Sequence, residues 1–368
     1  MPKHPELTEK FAARLRSEIL SGLWDGKALP SERDMSEKFG ISRVTVRRGL
    51  KRLCAEGIVE VRPGRGYFAL RTSAGGRSEE EARAIFFVRW SDDGEGGMDA
   101  LHIGIANGAM AEARRLGLEF YVTLQDTFGL SRNIEGPWRK HLRGIILDRA
   151  PSAFMETLLT RNVPFVLVEN DVEGFPVASV IQDNVGGMRL VLERIFALGH
   201  RRLGLIASDV DSIHCRQRIA GFREFLARAS LPAEISRVAI GSLNADGGRA
   251  AAAELLSRGE RPTAIFVAHR EMLAGVIAEL ESRRLSFPRD ISLAVWGRPG
   301  QDEPAGEYSN VTFVTWDREE MGRLAVRVLE QRVAAGTAER MVVRVEARLE
   351  ERGSLDRPAA GPAAMSAG

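Results

Sequence analysis

From residue 84 onward the chain alternates short, almost continuously apolar runs with longer amphipathic stretches. That alternation limits the fold more than any other feature. The runs at 84–90, 119–124, 144–147, 164–168, 203–207, 264–267 and 291–295 lack the polar–apolar rhythm of a strand with one wet face, so they read as parallel strands covered on both sides. Between them, residues 105–116, 185–198, 216–229, 246–258, 272–283 and 318–335 space their apolar side chains as helices do. Such repetition predicts an α/β protein with doubly wound parallel sheets, in which ligands sit at the carboxyl ends of strands. Roughly 250 residues suffice for two lobes of this kind facing each other across a cleft.

The stretch before residue 72 is built differently. Residues 8–21 place Phe11, Leu15, Ile19 and Leu20 on one helical face, ended by Gly22. Ser31 with Asp34 three residues on resembles a capping box, and Met35 and Phe39 then face a core. Gly40 permits a tight turn into a helix over 41–53 whose buried stripe is Val46, Leu50 and Leu53. Ser42, Arg43, Thr45, Arg47 and Arg48 cluster near its start and are not needed for that stripe. Residues 58–70 read as two short strands around Pro63-Gly64-Arg65-Gly66, with Arg65 at the tip.

Charge supports a separate head. The 52 Lys and Arg nearly cancel the 50 Asp and Glu, leaving +2 overall. Residues 1–72, however, hold 15 basic and 9 acidic groups, so +6 sits there and −4 on the rest. An excess of this kind attracts polyanions. A helix start rich in Arg and small hydroxyls suits the major groove of DNA, where Arg pairs bidentately with guanine, and a glycine-flanked Arg on a hairpin suits the minor groove. The small, polar, glycine-bearing stretch 72–83 is a linker, which gives domains at 1–71 and 84–352. The Ala-, Pro- and Gly-rich 353–368 is expected to be a disordered tail. The two cysteines, Cys54 and Cys215, lack metal-ligand spacing, so no metal or cofactor is expected. No apolar run is long enough to span a bilayer and the amino terminus lacks a signal-peptide core, so a soluble cytoplasmic protein with no membrane partner is expected.

Leu29-Pro-Ser-Glu-Arg33, Ser42-Arg-Val-Thr-Val-Arg47, Leu53-Cys-Ala-Glu-Gly-Ile58 and Gly64-Arg-Gly-Tyr-Phe68 resemble the winged helix-turn-helix of GntR-family regulators. The resemblance implies DNA contacts at Arg33, Arg43, Thr45, Arg47 and Gly64, and Ser31, Ser42 and Arg65 complete the expected set. Ile181-Gln-Asp-Asn184, Leu198-Gly-His-Arg-Arg-Leu-Gly-Leu-Ile206, Arg216-Gln-Arg-Ile-Ala-Gly-Phe222 and Pro288-Arg-Asp-Ile-Ser-Leu-Ala-Val295 resemble the effector domain of LacI/GalR-type regulators, which is itself similar to periplasmic sugar-binding proteins. A GntR-type head on such a body is similar to arabinose-repressor-type regulators. The resemblance implies that Arg218 grips ligand hydroxyls or carboxylates. Where relatives carry Asn-Asp this chain has His269-Arg270, and where they carry Gly-Tyr-Asp it has Gly297-Arg298-Pro299. Arg218, Arg270 and Arg298 with His269 would suit an anionic effector. Alternatively these arginines face solvent or pair with Asp302 and Glu303. In the first lobe the candidates are Trp90, Ser91, Asp92, His102 and Asp148; Trp90 could stack on an apolar sugar face, although an aromatic at a strand end is more often core. His200 is expected to make an internal hydrogen bond, and Cys215 to be an unreactive thiol.

These features together predict a transcriptional regulator, a repressor, that binds a palindromic double-stranded DNA operator as a homodimer. It would answer to a small effector, a sugar or sugar acid or phosphate, held between the lobes. The competing readings are a sugar-modifying α/β enzyme with an appended DNA-binding head, and a regulator with a degenerate, ligand-free cleft. The enzyme reading lacks a motif: there is no Walker A, no G-x-S-x-G and no strand-linked G-x-G-x-x-G.

Overall fold

The computed structural model describes residues 4–20, 24, 28–55, 59–62, 66–69, 82–90, 98, 100–125, 141–232, 236–257, 259–298, 308–336 and 339–359. The head comprises helices α1 (His4–Leu20), α2 (Glu32–Phe39) and α3 (Arg43–Ala55) and the antiparallel hairpin of β1 (Val59–Arg62) and β2 (Gly66–Ala69). Its core joins Phe11, Leu15 and Ile19 of α1 to Met35, Val46, Leu50, Leu53, Val59 and Ala69. The capping box forms in full: the Ser31 hydroxyl accepts from the Asp34 amide, and the Asp34 carboxylate accepts from the Ser31 amide. Gly40 closes α2 at φ 63°, a left-handed geometry in which a side chain would be strained.

The chain divides into two compact units, 1–181 with 318–343 and 182–317 with 344–368. Beyond the head, the first unit contains β3 (Ala84–Trp90), α4 (Ala100–Arg115), β4 (Glu119–Gln125), β5 (Leu142–Asp148), α5 (Ser152–Thr160), β6 (Phe165–Val168) and β7 (Ala178–Gln182). Its sheet runs β13-β7-β6-β5-β3-β4, where β13 is Met341–Val345, and the pairings among β3 to β7 are parallel. Helix α10 (Arg318–Ala335) returns to this unit and crosses α4 at backbone contact. A Cβ on Gly108 would lie 1.9 Å from the Glu319 carbonyl oxygen, and one on Gly322 would lie 2.0 Å from that of Ile105. Beside the crossing, Arg115 and Arg327 both hydrogen-bond the buried Glu112 carboxylate, which holds its pKa down at about 2.

The second unit repeats the winding with α6 (Asn184–Ala197), β8 (Leu203–Ser208), α7 (Ile213–Arg228), β9 (Arg237–Gly241), α8 (Ala245–Ser257), β10 (Ala264–Val267), a 3-10 turn (Arg270–Met272), α9 (Leu273–Ser282), β11 (Ser292–Trp296), β12 (Thr312–Trp316) and β14 (Ala347–Glu350). Its sheet runs β14-β12-β11-β10-β8-β9, with β14 antiparallel to β12. Apart from the last-added strand, both sheets follow one order, second strand, first, third, fourth, fifth. The winding therefore reverses between β3 and β5 in one unit and between β8 and β10 in the other. Ligands of open α/β sheets bind at the carboxyl ends flanking such a reversal.

One boundary needs correction. The stretch 353–359 is ordered rather than a disordered tail. Ser354 is fully buried, its carbonyl accepts from the Leu293 amide at 2.9 Å, and its hydroxyl accepts from the Thr312 amide at 2.7 Å. Composition misled because the docking uses backbone and hydroxyl groups, which leave no apolar pattern.

Candidate DNA-contact face and ligand site

The head presents its exposed chemistry on α3 and the start of α2. Ser42 caps α3, its hydroxyl accepting from the Thr45 amide at 3.2 Å. Arg43 and Arg47 stand exposed one helical turn apart on α3. Arg33 is exposed on α2, where its Nε donates to Glu37 at 3.0 Å. Thr45 departs from expectation. It is buried, and its hydroxyl lies 2.9 Å from that of Ser42, so it braces the helix start instead of standing on the exposed face. Ser31 is exposed but spends its hydroxyl on the α2 cap. Gly64 and Arg65 lie outside the described residues.

The sequence pattern does not single out two further residues of this face. Val44 is 59% exposed between Arg43 and Thr45, an apolar group of the kind that packs on a thymine methyl. Its signal was a β-branched residue off the Val46–Leu50–Leu53 stripe. Glu32 receives Arg47 Nε at 3.0 Å, Arg47 Nη2 at 2.7 Å and the Tyr67 hydroxyl at 3.3 Å. Arg47's hydrogen bond holds the Glu32 carboxyl below its usual range.

In the second unit, Arg218 on α7 is buried at the carboxyl end of β10. Its Nε donates to Asn184 Oδ1 at 2.9 Å, its Nη2 to Gln182 Oε1 at 2.8 Å and its Nη1 to the Ala268 carbonyl. The guanidinium carbon lies 4.2 Å from the centroid of a Trp296 ring, and Trp296 Nε1 also donates to Gln182. Gln182 and Trp296 thus join the cluster without having been singled out. His214 and Gln217 extend it through the Asn184 amide, at 3.1 and 3.0 Å.

The cationic ring expected here is weaker than its residue types imply. His269 lies beside Arg218, with its Nδ1 3.5 Å from Nη1. Burial first, and the Arg218 charge second, lower its pKa to about 3, so at neutral pH it is an uncharged imidazole and adds no positive charge. Arg298 is half-exposed with its Nη2 3.9 Å from Glu350. Arg270 opens the 3-10 turn next to His269. Asp302, Glu303 and Pro299 lie outside the described residues.

The first unit brings together two residues nominated separately. His102, near the start of α4, places Nε2 2.8 Å from Asp148 Oδ2 at the carboxyl end of β5, and both side chains are buried. Arg89 Nε stands 3.9 Å from the same oxygen. Trp90 ends β3, while Ser91 and Asp92 lie outside the described residues.

His200 and Cys215 are held by internal hydrogen bonds. His200 is buried with Nδ1 2.9 Å from the Thr263 hydroxyl and Nε2 2.7 Å from the Asp356 carbonyl. A carbonyl only accepts, so Nε2 carries the proton and Nδ1 accepts. Burial lowers the His200 pKa as well. Cys215 donates to the Ser208 carbonyl, and burial raises its pKa. Both histidines favour the neutral form when folded and titrate near 6.5 when unfolded. Their contribution to stability is complete above about pH 6.5 and is lost as the pH falls toward the folded values. Unfolding free energy is therefore expected to decline between pH 6.5 and 5 by up to about 1.4 kcal/mol per pH unit from His269, with His200 acting in the same direction. Urea titrations of wild type and His269→Gln across that range check this, and an unchanged slope in the variant contradicts it.

Residues 7–68 match the bacterial regulatory proteins of the gntR family, and residues 192–355 match the periplasmic binding protein-like domain. The transcriptional regulator CelR of Thermobifida fusca is 29% identical over 227 residues, covering 58% of this chain and 64% of CelR. The ribose operon repressor of Escherichia coli K12 is 29% identical over 229 residues, covering 61% and 68%. The chain thus spans about two thirds of the length of the curated relatives it matches. Among solved structures, a CelR–cellobiose complex superposes with a TM-score of 0.63 at 22% identity, over 89% of this chain and 100% of that one. The lac repressor dimer bound to operator and an anti-inducer superposes with a TM-score of 0.60 at 21% identity, over 76% and 96%. The chain therefore carries a gntR-type match in its head and a periplasmic binding protein-like match in its body.

Proposed function

We propose that this protein is a DNA-binding transcriptional repressor that acts in the cytoplasm as a homodimer and answers to a small sugar or sugar-derived effector. The observation that carries the reading is the exposed α3 face, where Arg43, Val44 and Arg47 stand off a fully buried Val46–Leu50–Leu53 stripe. Such a face has no packing role, and its donors and apolar group match what base edges offer in a major groove. The α/β body with its reversal-point clusters supports the effector, and the cellobiose bound by the CelR relative supports its sugar class. Edge strands support the dimer. β4 carries exposed Tyr121 and Val122, and β9 carries exposed Ile240, so each unit has an edge strand with exposed apolar side chains that a second copy would cover. Among the described residues no helix is long and apolar enough to cross a membrane.

Sites selected from random duplexes by the wild-type protein provide the test. Arg43→Ala and Arg47→Ala are each expected to weaken binding to the selected duplex by about 5- to 150-fold, the loss of one bidentate guanine contact at 1–3 kcal/mol. If both variants bind that duplex as wild type does, the recognition-helix reading is wrong.

A further inference from the structure

We infer that Glu32 is a positioning residue for sequence readout, holding the Arg47 guanidinium so that one edge is spent on protein and another is presented to a base. The inference rests on the DNA-binding reading of the head. A guanidinium offers hydrogen-bonding edges in a rigid fork. Glu32 takes the Nε–Nη2 edge, with contacts of 3.0 Å from Nε to Oε1, 3.2 Å from Nε to Oε2 and 2.7 Å from Nη2 to Oε2. The Arg47 side chain is nonetheless 59% exposed, and Nη1 is not among the atoms Glu32 holds. The Nη1–Nη2 edge therefore stays available, and it is the paired donor that matches guanine O6 and N7.

Glu32 is itself fixed. It opens α2 directly after the Ser31 cap, and the Tyr67 hydroxyl on β2 reaches its Oε1 at 3.3 Å, so the hairpin braces the carboxylate that braces the arginine. Charge adds a second effect. An unpaired arginine on this face would seek any phosphate, whereas one partly neutralised by a carboxylate gains less from the backbone and relatively more from a base. Glu32 thereby exchanges sequence-independent attraction for discrimination. A carboxylate in the first turn of a helix also complements the helix dipole, which is why its second role does not announce itself in a sequence.

The test compares full-length wild type with Glu32→Gln, Tyr67→Phe, Arg47→Ala and the Glu32→Gln/Arg47→Ala double variant. Each is titrated against the selected duplex and a scrambled duplex over a salt series. Glu32→Gln is expected to bind the scrambled duplex more tightly, with a salt slope steeper by about 0.9 for one added phosphate contact, and to lose about tenfold in the ratio of selected to scrambled affinity. A merely damaged head would not gain affinity for scrambled DNA. Tyr67→Phe, which keeps the ring and removes only the brace, is expected to lose about threefold in the same ratio. In the Arg47→Ala background the Glu32 substitution should change the ratio no further. Wild-type discrimination by Glu32→Gln, or an undiminished loss on top of Arg47→Ala, overturns the positioning role. A wild-type protein that prefers no duplex overturns the DNA-binding reading and this inference with it.

Discussion

A chain ended after Arg352 is expected to lose on the order of 4 kcal/mol from the unfolding free energy of the second unit, the combined effect of several hydrogen bonds at roughly 1–3 kcal/mol where a buried group is left unpaired. Ser354 answers polar groups where the first residues of β11 and β12 come together, taking the Leu293 amide on its carbonyl and the Thr312 amide on its hydroxyl. Its hydroxyl proton goes to the Leu293 carbonyl. Two residues on, the Asp356 carbonyl accepts from His200 Nε2 at 2.7 Å and from the Ser292 hydroxyl at 3.0 Å, while its amide donates back to Ser292 at 3.0 Å. Truncation strands these partners in or beside a core that includes the fully buried Leu293 and Phe313. Ser354→Ala isolates one part of the effect, leaving the Thr312 amide without its acceptor, and should cost about 1–3 kcal/mol. Urea unfolding of the truncated and point variants measures both. Wild-type stability in the truncated chain would show that water replaces the strap at no cost.

That strap marks one limit of what the sequence disclosed. The elements that could be read carry their burial in an apolar pattern. β3, β5, β10 and β11 are nearly all apolar because helices cover both faces, and each appears within two residues of its expected place. The strands overlooked include sheet edges and closing strands. β9 (Arg237–Gly241), β13 and β14 (Ala347–Glu350) mix charged residues with apolar ones, as an edge with one wet face must. Helix α4 starts five residues before its expected start, and its added turn contains Gly104, where Arg318 of α10 comes close. α5 is hard to read because it is brief and its Phe154–Leu159 run is as compatible with a strand as with a helix.

Residue chemistry at the site was legible, but pairing was not. Nothing in the sequence shows that His102 and Asp148 meet at 2.8 Å, since 45 intervening positions carry no register for a helix start against a strand end. Glu32 was hidden by position, an acid in a basic head that a helix dipole already explains. The charge of His269 was misjudged because residue type gives a formal charge and only burial decides whether it persists.

Replacing Arg218 by Lys is expected to destabilise the second unit by roughly 3–5 kcal/mol, the loss of about two hydrogen bonds from a charged donor at roughly 1.5–3 kcal/mol each. Lysine is a point donor on a flexible stem and cannot serve Asn184, Gln182 and the Ala268 carbonyl as the planar fork does. It would also lose the stack on Trp296. Urea unfolding followed by tryptophan fluorescence reads the loss. If Arg218→Lys is as stable as wild type but no longer takes up an effector, the guanidinium serves the ligand rather than the fold. The same geometry sets an expectation for the effector. With the Arg218 donors already held by Asn184, Gln182 and the Ala268 carbonyl, His269 neutral and Arg298 near Glu350, the site offers an acid fewer open donors than its residue types imply. Calorimetry with glucose against glucuronate, and galactose against galacturonate, is expected to show the neutral member of a bound pair binding at least as tightly. A tenfold preference for the acid, about 1.4 kcal/mol, would instead establish an anion site, with Arg270 and Arg298 the side chains to substitute next.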